Sequence, residues 1–364
     1  MAIDSKIRSI IENFGHIKID DMMREALSAN YNSYYKSKEL IGNMGDFITS
    51  PEISQLFGEV IGFWIISKWQ EQGCPEDIAL IELGPGMGTL MADLMRVVNL
   101  VPKLSQALEV FLLEINKNFI KKQRNTLKNS FNFSEAKLSW ISNIDQLPKK
   151  PSIIISNEFF DSLPIKQYIK IRQKWYESVV ICDPIDGILK YDKIELPKAL
   201  LEQLNIDHKN AMDGAVMEES VESLYIMRKI AMRLLKFGGA FLAIDYGYDI
   251  QPQLRSRRQY NPTLQAVKNH KYHPVMSSLG EADLTAHVDF NALKNSVLQK
   301  GVKEVTISSQ RDFLIKNGIR ARHESLKKSN SVEIAKILDK QLHRLIDKNQ
   351  MGEIFKAMEY CVIR

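Results

Sequence analysis

Cysteine is scarce in this chain. Cys74, Cys182 and Cys361 are spread over 364 positions, odd in number and without a Cys-x-x-Cys pair, which excludes a disulfide framework and a structural zinc site. A reducing compartment follows. His-Glu-x-x-His and comparable metal-ligand spacings are also missing, so no metal is expected. No run of residues approaches the ~20 apolar positions that a membrane-spanning helix needs. The opening MAIDSKIRSIIENFG lacks the apolar core of a secretion signal. The expected location is cytoplasmic, or the mitochondrial matrix if a presequence has been removed. An excess of one charge is missing too, since 49 Lys and Arg oppose 44 Asp and Glu for a net +5. Spread along the chain, that is too mild to argue for nucleic acid as a partner. No internal repeat or low-complexity linker divides the chain, so its organisation has to come from the order of elements.

What is there is a globular composition, 45% hydrophobic and 26% charged, long enough for one large core or two modest ones. From Lys6 to about Tyr35, apolar residues recur at helical spacing (Ile7, Ile10, Ile11; Met22, Met23, Ala26, Leu27). They predict two short helices acting as a cap or lid. Ser50-Pro51-Glu52 reads as a helix start, for a helix reaching about Gln72 and stopped by Gly73. Beyond it, short apolar runs at 78–83, 110–114, 138–141, 152–156 and 240–245 alternate with helical stretches, as in a mostly parallel sheet with helices on both faces. Residues 167–171 and 176–182 predict an inserted β-hairpin, and 217–236 a helix ended by Gly238-Gly239. A helix at 289–300 and strands at 302–308 and 355–362, the last one antiparallel, bring the sheet to seven strands. The expected fold class is α/β, a seven-stranded, mostly parallel, Rossmann-like sheet with an N-terminal helical cap and an inserted hairpin. Residues 1–73 form the cap and 74–364 the main domain, with an insertion at about 165–215 and an irregular loop over the ligand edge at about 246–288.

Residues 78–93 combine an apolar strand, a loop with glycines at 84, 86 and 88, and a helix opening near Thr89. Such a loop lets the backbone adopt left-handed angles and approach a ligand, with the free N–H groups of a helix start behind it. A plain strand-to-helix turn would also use glycine. Two neighbours favour a ligand. The spacing G-x-G-x-G lacks the third glycine of the dinucleotide fingerprint G-x-G-x-x-G, where Thr89 stands. Glu82, just before the loop, opposes a diphosphate but suits a ligand that carries an ammonium and a sulfonium. S-adenosylmethionine is such a ligand. Glu114, at the end of the second strand, can accept both ribose hydroxyls, although NAD would be held in the same way and a solvated strand end needs no ligand. Asp145, beyond the third strand, is placed to reach the adenine amine.

Four segments carry a family resemblance: Gly45-Asp46-Phe47-Ile48-Thr49-Ser50-Pro51-Glu52-Ile53-Ser54, the glycine loop, Asn157-Glu158-Phe159-Phe160-Asp161-Ser162-Leu163-Pro164, and Glu281-Ala282-Asp283-Leu284-Thr285-Ala286-His287-Val288-Asp289-Phe290. From about Met22 to its C-terminus the chain resembles the MidA-like methyltransferases, a family that includes the mitochondrial complex I assembly-factor arginine methyltransferase and bacterial relatives. The resemblance implies a class I methyltransferase sheet, S-adenosylmethionine as cofactor and protein arginine methylation as activity. From the mitochondrial members it implies a respiratory complex I subunit as acceptor. It also implies that the loop carrying Thr49, Ser50 and Glu52 closes over the cofactor. Met87 stands where many relatives carry Arg, and residues 255–262 diverge. Loop backbone rather than the Met87 side chain should cradle the cofactor, so binding is expected to survive.

Methyl transfer from a sulfonium is an in-line displacement, so the protein has chiefly to hold a nucleophile against the methyl carbon and exclude water. If that nucleophile is a guanidinium nitrogen, carboxylates would fix its planar donor fork and stabilise the growing charge. Glu158 and Asp161 follow the fourth strand at the edge that carries the glycine loop. Asn157 can hydrogen-bond the methionine end of the cofactor, and Phe159 and Phe160 can shield it or simply pack the core. His287 could serve as general base beside Asp289, although Asp289 reads equally as a helix N-cap and His287 as a structural histidine. The expected site is Glu158, Asp161 and His287 for catalysis, with Thr49, Glu82, Gly84, Gly86, Gly88, Glu114, Asp145 and Asn157 for the cofactor. The N-terminal helices and the hairpin could grip a protein acceptor or, in a homodimer, a second subunit. Two other readings stay open: an assembly protein that keeps the fold without transferring methyl groups, and a NAD-dependent oxidoreductase, which the glycine spacing disfavours.

Overall fold

The computed structural model describes residues 3–29, 49–130, 137–197, 199–200, 211–255, 260–268, 271–277 and 279–364. Residues 30–48, which begin the first of the four motifs, and 256–259 of the divergent stretch lie outside them.

The central sheet is built from β1 (Ile78–Leu83), β2 (Leu108–Leu113), β3 (Leu138–Ile141), β4 (Ser152–Asn157), β5 (Gly239–Tyr248), β6 (Thr306–Ser309) and β7 (Phe355–Val362). Their order across the sheet is β3-β2-β1-β4-β5-β7-β6, with Val288–Asp289 adding a two-residue rung beside the end of β5. The first five strands are parallel, and β7 runs antiparallel to both of its neighbours. β1 is buried throughout and β4 nearly so, because strands in mid-sheet with both faces covered must be apolar on both sides. One face is covered by helices Gln55–Glu71 and Thr89–Val98, which bury Phe57, Trp64, Leu94 and Val98 with Leu80, Ile153 and Leu242. The other is covered by Val221–Phe237 and Phe290–Leu298, which bury Met227, Leu234 and Phe290 with Ile81, Ile154 and Phe241. Each fully buried side chain of this size contributes roughly 1.5–3 kcal/mol, so Gln55–Glu71 is part of the main core. The chain leaves β1 toward β2 and β3 and returns to β4 on the other side. That reversal opens a crevice at the carboxyl ends of β1 and β4.

The inserted hairpin consists of Lys166–Ile171 and Lys174–Cys182, turned by Arg172 and Gln173 at φ +47° and +66°, as a two-residue type I′ loop demands. It is the centre of something larger than expected. Ile17–Lys18, Leu189–Glu195 and Val216–Glu219 add to its edges to make five strands. Residues 217–219 therefore pair as strand instead of opening a helix, which starts at Val221 behind the capping Ser220. The N-terminal helices Ile3–Phe14 and Ile19–Ala29 pack on this inserted sheet through Ile7, Ile11, Met22 and Met23, against Val180 and Leu189, and against Leu284 of the separate strand Asp283–Thr285.

Two further departures affect the site. Ser54 interrupts the helix expected from Ser50 to Gln72: Ser50–Ile53 is a single turn, and Ser54 caps Gln55–Glu71 by accepting from Leu56 N at 3.3 Å. Between β6 and β7, moreover, stand the unanticipated helices Gln310–Lys316, Ile319–Lys328 and Val332–Ile346. Their many charged residues obscure a buried stripe of Phe313, Leu314, Ile319, Leu338 and Leu345. Gln310, fully buried, donates to Leu345 O at 2.9 Å and accepts from Ser50 Oγ at 3.4 Å. Arg322 grips Glu59 with two hydrogen bonds of 2.8 and 3.1 Å. This layer thus fixes the segment from Thr49 onward at the mouth of the crevice. Among the described residues no helix is long and apolar enough to cross a membrane.

Candidate active site

The loop after β1 turns on left-handed glycines, Gly84 at φ +63°, Gly86 at +52° and Gly88 at +81°. At Gly84 the requirement is double, because a Cβ there would lie 2.8 Å from Phe159 Cδ2 as well as in a region that side-chain-bearing residues avoid. Gly88 is the N-cap of Thr89–Val98 and stands behind the loop without lining the crevice. Just before the loop, Glu82 is 2% exposed and its Oε2 has no hydrogen-bond partner among the described residues. Burial pushes its carboxyl up to about 8. Asn157 projects from the same face of neighbouring β4, two residues past the Ile155 that pairs with Glu82, and its buried Oδ1 is also without a partner among the described residues. Orphaned buried acceptors are costly, but neither side chain belongs to the lining of the crevice.

The crevice is a cleft of about 520 Å³. Glu114 is 8% exposed; its Oε1 accepts from Asn116 N at 2.8 Å and its Oε2 from Gln123 Nε2 at 3.2 Å, which leaves further lone pairs for a ligand. Ser142, Asn143 and Ile144 line the cleft after β3. Asp145 does not. It lies in the short turn Ile144–Gln146 that Asn143 caps, and its carboxylate points outward to Lys229 Nζ at 2.9 Å. The capping geometry thus brings the asparagine, rather than the aspartate, to the cleft.

After β4 the chain bends sharply, with Glu158 at φ +49°, a conformation costing on the order of 1–3 kcal/mol for such a residue. Asp245 holds the bend. This fully buried residue of β5 accepts at Oδ2 from the N–H groups of Phe159 (3.1 Å), Phe160 (2.9 Å) and Asp161 (3.3 Å), and at Oδ1 from Tyr246 N (3.0 Å). Glu158 and Asp161 both line the cleft as a result. Glu158 Oε1 accepts from Ser50 N at 3.3 Å and Asn157 Nδ2 at 3.2 Å, and among the described residues Asp161 Oδ1 has no partner. Burial, then the nearby Asp161, pushes Glu158 up to about 8, with Arg344 of the C-terminal layer tempering the shift. Burial pushes Asp161 up to about 7 against a hydrogen bond from Tyr246. Asp245 rises well above the usual carboxylate range through burial and these two neighbours. Phe159 lines the cleft, whereas Phe160 is buried edge-on to it at 5.2 Å and packs the core.

Thr49 also lines the cleft, but His287 lines a neighbouring cavity of about 210 Å³ with Glu218, Arg255 and Asp289. Tyr246 stands between the two, its ring edge-on to His287 at 5.3 Å and its hydroxyl bonded to Asp161. Asp289 is occupied as the N-cap of Phe290–Leu298, accepting from Ala292 N at 3.0 Å, and as the partner of Arg255. Sequence reading missed Gln123, Asn143, Asp245 and Tyr246. For Asp245 a signal existed, an acid ending an otherwise apolar strand. Among the described residues, no group of three His, Cys, Asp or Glu side chains could hold a metal ion.

These raised carboxyls carry a pH signature. Unfolded, Glu82, Glu158 and Asp161 ionise near 4, but folded at about 8, 8 and 7. The stability linked to a raised carboxyl is complete below its unfolded pKa and is lost as pH climbs through the folded value. The cofactor-free protein should therefore melt at a lower temperature near pH 8 than near pH 5.5. A Tm that rises across that interval would contradict these placements.

The residues that line the crevice fit S-adenosylmethionine, with a close-approach glycine loop and Glu114 for a ribose, whereas Glu82 and Asn157 stand outside that lining. Comparison with known proteins points the same way. A family model described as "Putative S-adenosyl-L-methionine-dependent methyltransferase" matches residues 60–308. The mitochondrial protein arginine methyltransferase NDUFAF7 of Xenopus laevis is 33% identical over 95% of this chain and 81% of its own length. That of Homo sapiens is 32% identical over 95% and 80%. Among solved structures, a Burkholderia thailandensis protein bound to S-adenosylhomocysteine superposes with a TM-score of 0.84 at 23% identity, covering 99% of this chain and 92% of that one. At that identity what the two share is the α/β methyltransferase fold. The family match, spanning both the glycine loop and the β4 bend, makes this chain a member of the MidA-like S-adenosylmethionine-dependent methyltransferases, with S-adenosylmethionine as its cofactor.

Proposed function

We propose that the cleft transfers methyl groups to arginine in a protein acceptor. The observation that carries this reading is the charge of the lining: among the described residues Glu114, Glu158, Asp161, Glu222 and Asp283 line the cleft, and no lysine, arginine or histidine does. A sulfonium and a guanidinium are both cations, and each favours the ionised form of the raised carboxyls in such a wall, which the diphosphate of a dinucleotide would disfavour. When bound, S-adenosylmethionine supplies an electrophilic methyl carbon that the attacking nitrogen takes in line, with S-adenosylhomocysteine leaving. In this reading Gly84 and Gly86 cradle the cofactor, Glu114 accepts from the ribose, and Thr49 closes the mouth. Glu158 and Asp161 grip the planar guanidinium and orient one nitrogen toward the methyl group. That nitrogen sheds a proton as its bond to carbon forms, and Oδ1 of Asp161 accepts it. His287 then supports Tyr246 from behind, and the general base is a carboxylate of the cleft.

The name of the mitochondrial relatives supports arginine as the acceptor group, and the family resemblance supports a respiratory complex I subunit as its bearer. Three free cysteines support a reducing compartment, cytoplasm or matrix. Incubating the protein with methyl-labelled cofactor and cell lysate, then mapping the label by mass spectrometry, should find methylated arginine in a small number of proteins. Label on another residue type would overturn the arginine assignment. Tight cofactor binding with no labelled acceptor would favour an assembly role.

A further inference from the structure

We infer that Gln123 is a positioning residue for the cofactor, a single buried amide that aims the Glu114 carboxylate and ties it to the glycine loop. The inference rests on the reading of Glu114 as the ribose partner.

Gln123 lies on helix Lys117–Ser130, fully buried and outside the lining of the cleft. All its polar atoms are engaged. Nε2 donates to Gly86 O at 2.8 Å and to Glu114 Oε2 at 3.2 Å, while Oε1 accepts from Trp140 Nε1 at 2.7 Å. The amide can be oriented in only one way, since a flipped group would set its oxygen against a carbonyl and a carboxylate and its N–H against the indole N–H. Trp140 is itself braced by Arg124, whose guanidinium lies 4.2 Å from the ring centroid. The chain of contacts thus runs from β3 through Trp140 and Gln123 to two separate parts of the cofactor site.

Packing alone does not account for this residue. A leucine would fill the same volume in an apolar core without the desolvation cost of a primary amide. What the amide adds is a fixed direction for Glu114. With Oε1 taking Asn116 N and Oε2 taking Gln123, each carboxylate oxygen is held by a hydrogen bond and keeps acceptor capacity for a ligand in the cleft that Glu114 lines. The backbone beside Gln123 also backs the loop, because a Cβ at Gly88 would lie 3.4 Å from Gln123 Cα. Loop and carboxylate are therefore held at one spacing by one side chain, the kind of supporting shell a ligand site needs to stay within a fraction of an ångström.

The test is calorimetry on the full chain with S-adenosylhomocysteine and with its 2′-deoxy and 3′-deoxy analogues. The wild type should prefer the intact ribose by about tenfold or more, the worth of a hydrogen bond to a charged group. Gln123→Leu should bind S-adenosylhomocysteine about tenfold more weakly and lose most of that preference, as Glu114→Gln should. Trp140→Phe removes the donor to Gln123 and should move the preference the same way by a smaller factor, providing a second reading if Gln123→Leu folds poorly. If Glu114→Gln keeps the wild-type preference, the ribose assignment itself fails and the inference with it. If Glu114→Gln loses the preference while Gln123→Leu and Trp140→Phe retain it, Gln123 is only a packing residue and the ribose assignment stands.

Discussion

Glu158→Gln should lower turnover of an arginine acceptor by about a hundredfold or more, while affinity for S-adenosylhomocysteine stays within about threefold. The amide keeps the volume of the side chain and an oxygen to accept from Ser50 N and Asn157 Nδ2, the two contacts seen at Oε1. What it removes is the charge that faces the guanidinium. A charge-assisted pair in a desolvated site is worth roughly twice a neutral hydrogen bond, and the loss is felt most where positive charge is growing. Because the free carboxyl ionises at about 8, kcat/KM of the wild type should rise with pH up to that region, and the variant should lack that part of the profile. Cofactor binding and turnover are read in separate experiments. Equal losses in both would make Glu158 a cofactor residue instead of an acceptor residue.

Asp245→Ala should produce the largest stability loss of any single change at the site. Three backbone N–H groups share its Oδ2 and a fourth its Oδ1. Truncation strands these donors in the interior at ~1–3 kcal/mol each, and it leaves a cavity beside a bend already strained at Glu158. A total loss of about 4–6 kcal/mol is expected, allowing for partial relaxation. Asp245→Asn is a graded control. Its carbonyl can still serve the three donors of the bend, but its NH2 then meets Tyr246 N, so about 1–2 kcal/mol should be lost. Urea unfolding followed by circular dichroism measures both. Equal midpoints for the alanine variant and the wild type would mean that Asp245 does not hold the bend.

Much of the sheet is legible in the chain because buried strands are apolar without alternation, and the runs at β1, β4 and β5 are short for helices. The glycine loop is legible for the same local reason, its conformational demands being met at three positions by the one residue type that tolerates them. The helices between β6 and β7 were not legible from hydrophobicity. Their apolar residues are thinly set among charges, although Ser309 and Ser331 do cap two of them in a pattern open to inspection. Val216–Glu219 escaped because a four-residue strand is decided by its partner, Lys166–Ile171, rather than by its own composition. That Asn143 rather than Asp145 faces the cleft follows from a cap whose geometry cannot be seen before the turn is formed.

By itself the sequence determined the class of fold, the place of the cofactor loop and the residues able to carry charge, since each depends on spacing among near neighbours. Tertiary structure decided which of those charges meet. Asp245 reaches the β4 bend across about 85 positions, Ser50 N reaches Glu158 across 108, and Gln310 reaches Ser50 across 260. Those pairings form only because burial of the strands and helices between them brings the ends together, and no local pattern encodes that closure. It is this closure that gathers Glu158 and Asp161 into one cleft and sets His287 behind Tyr246, outside it.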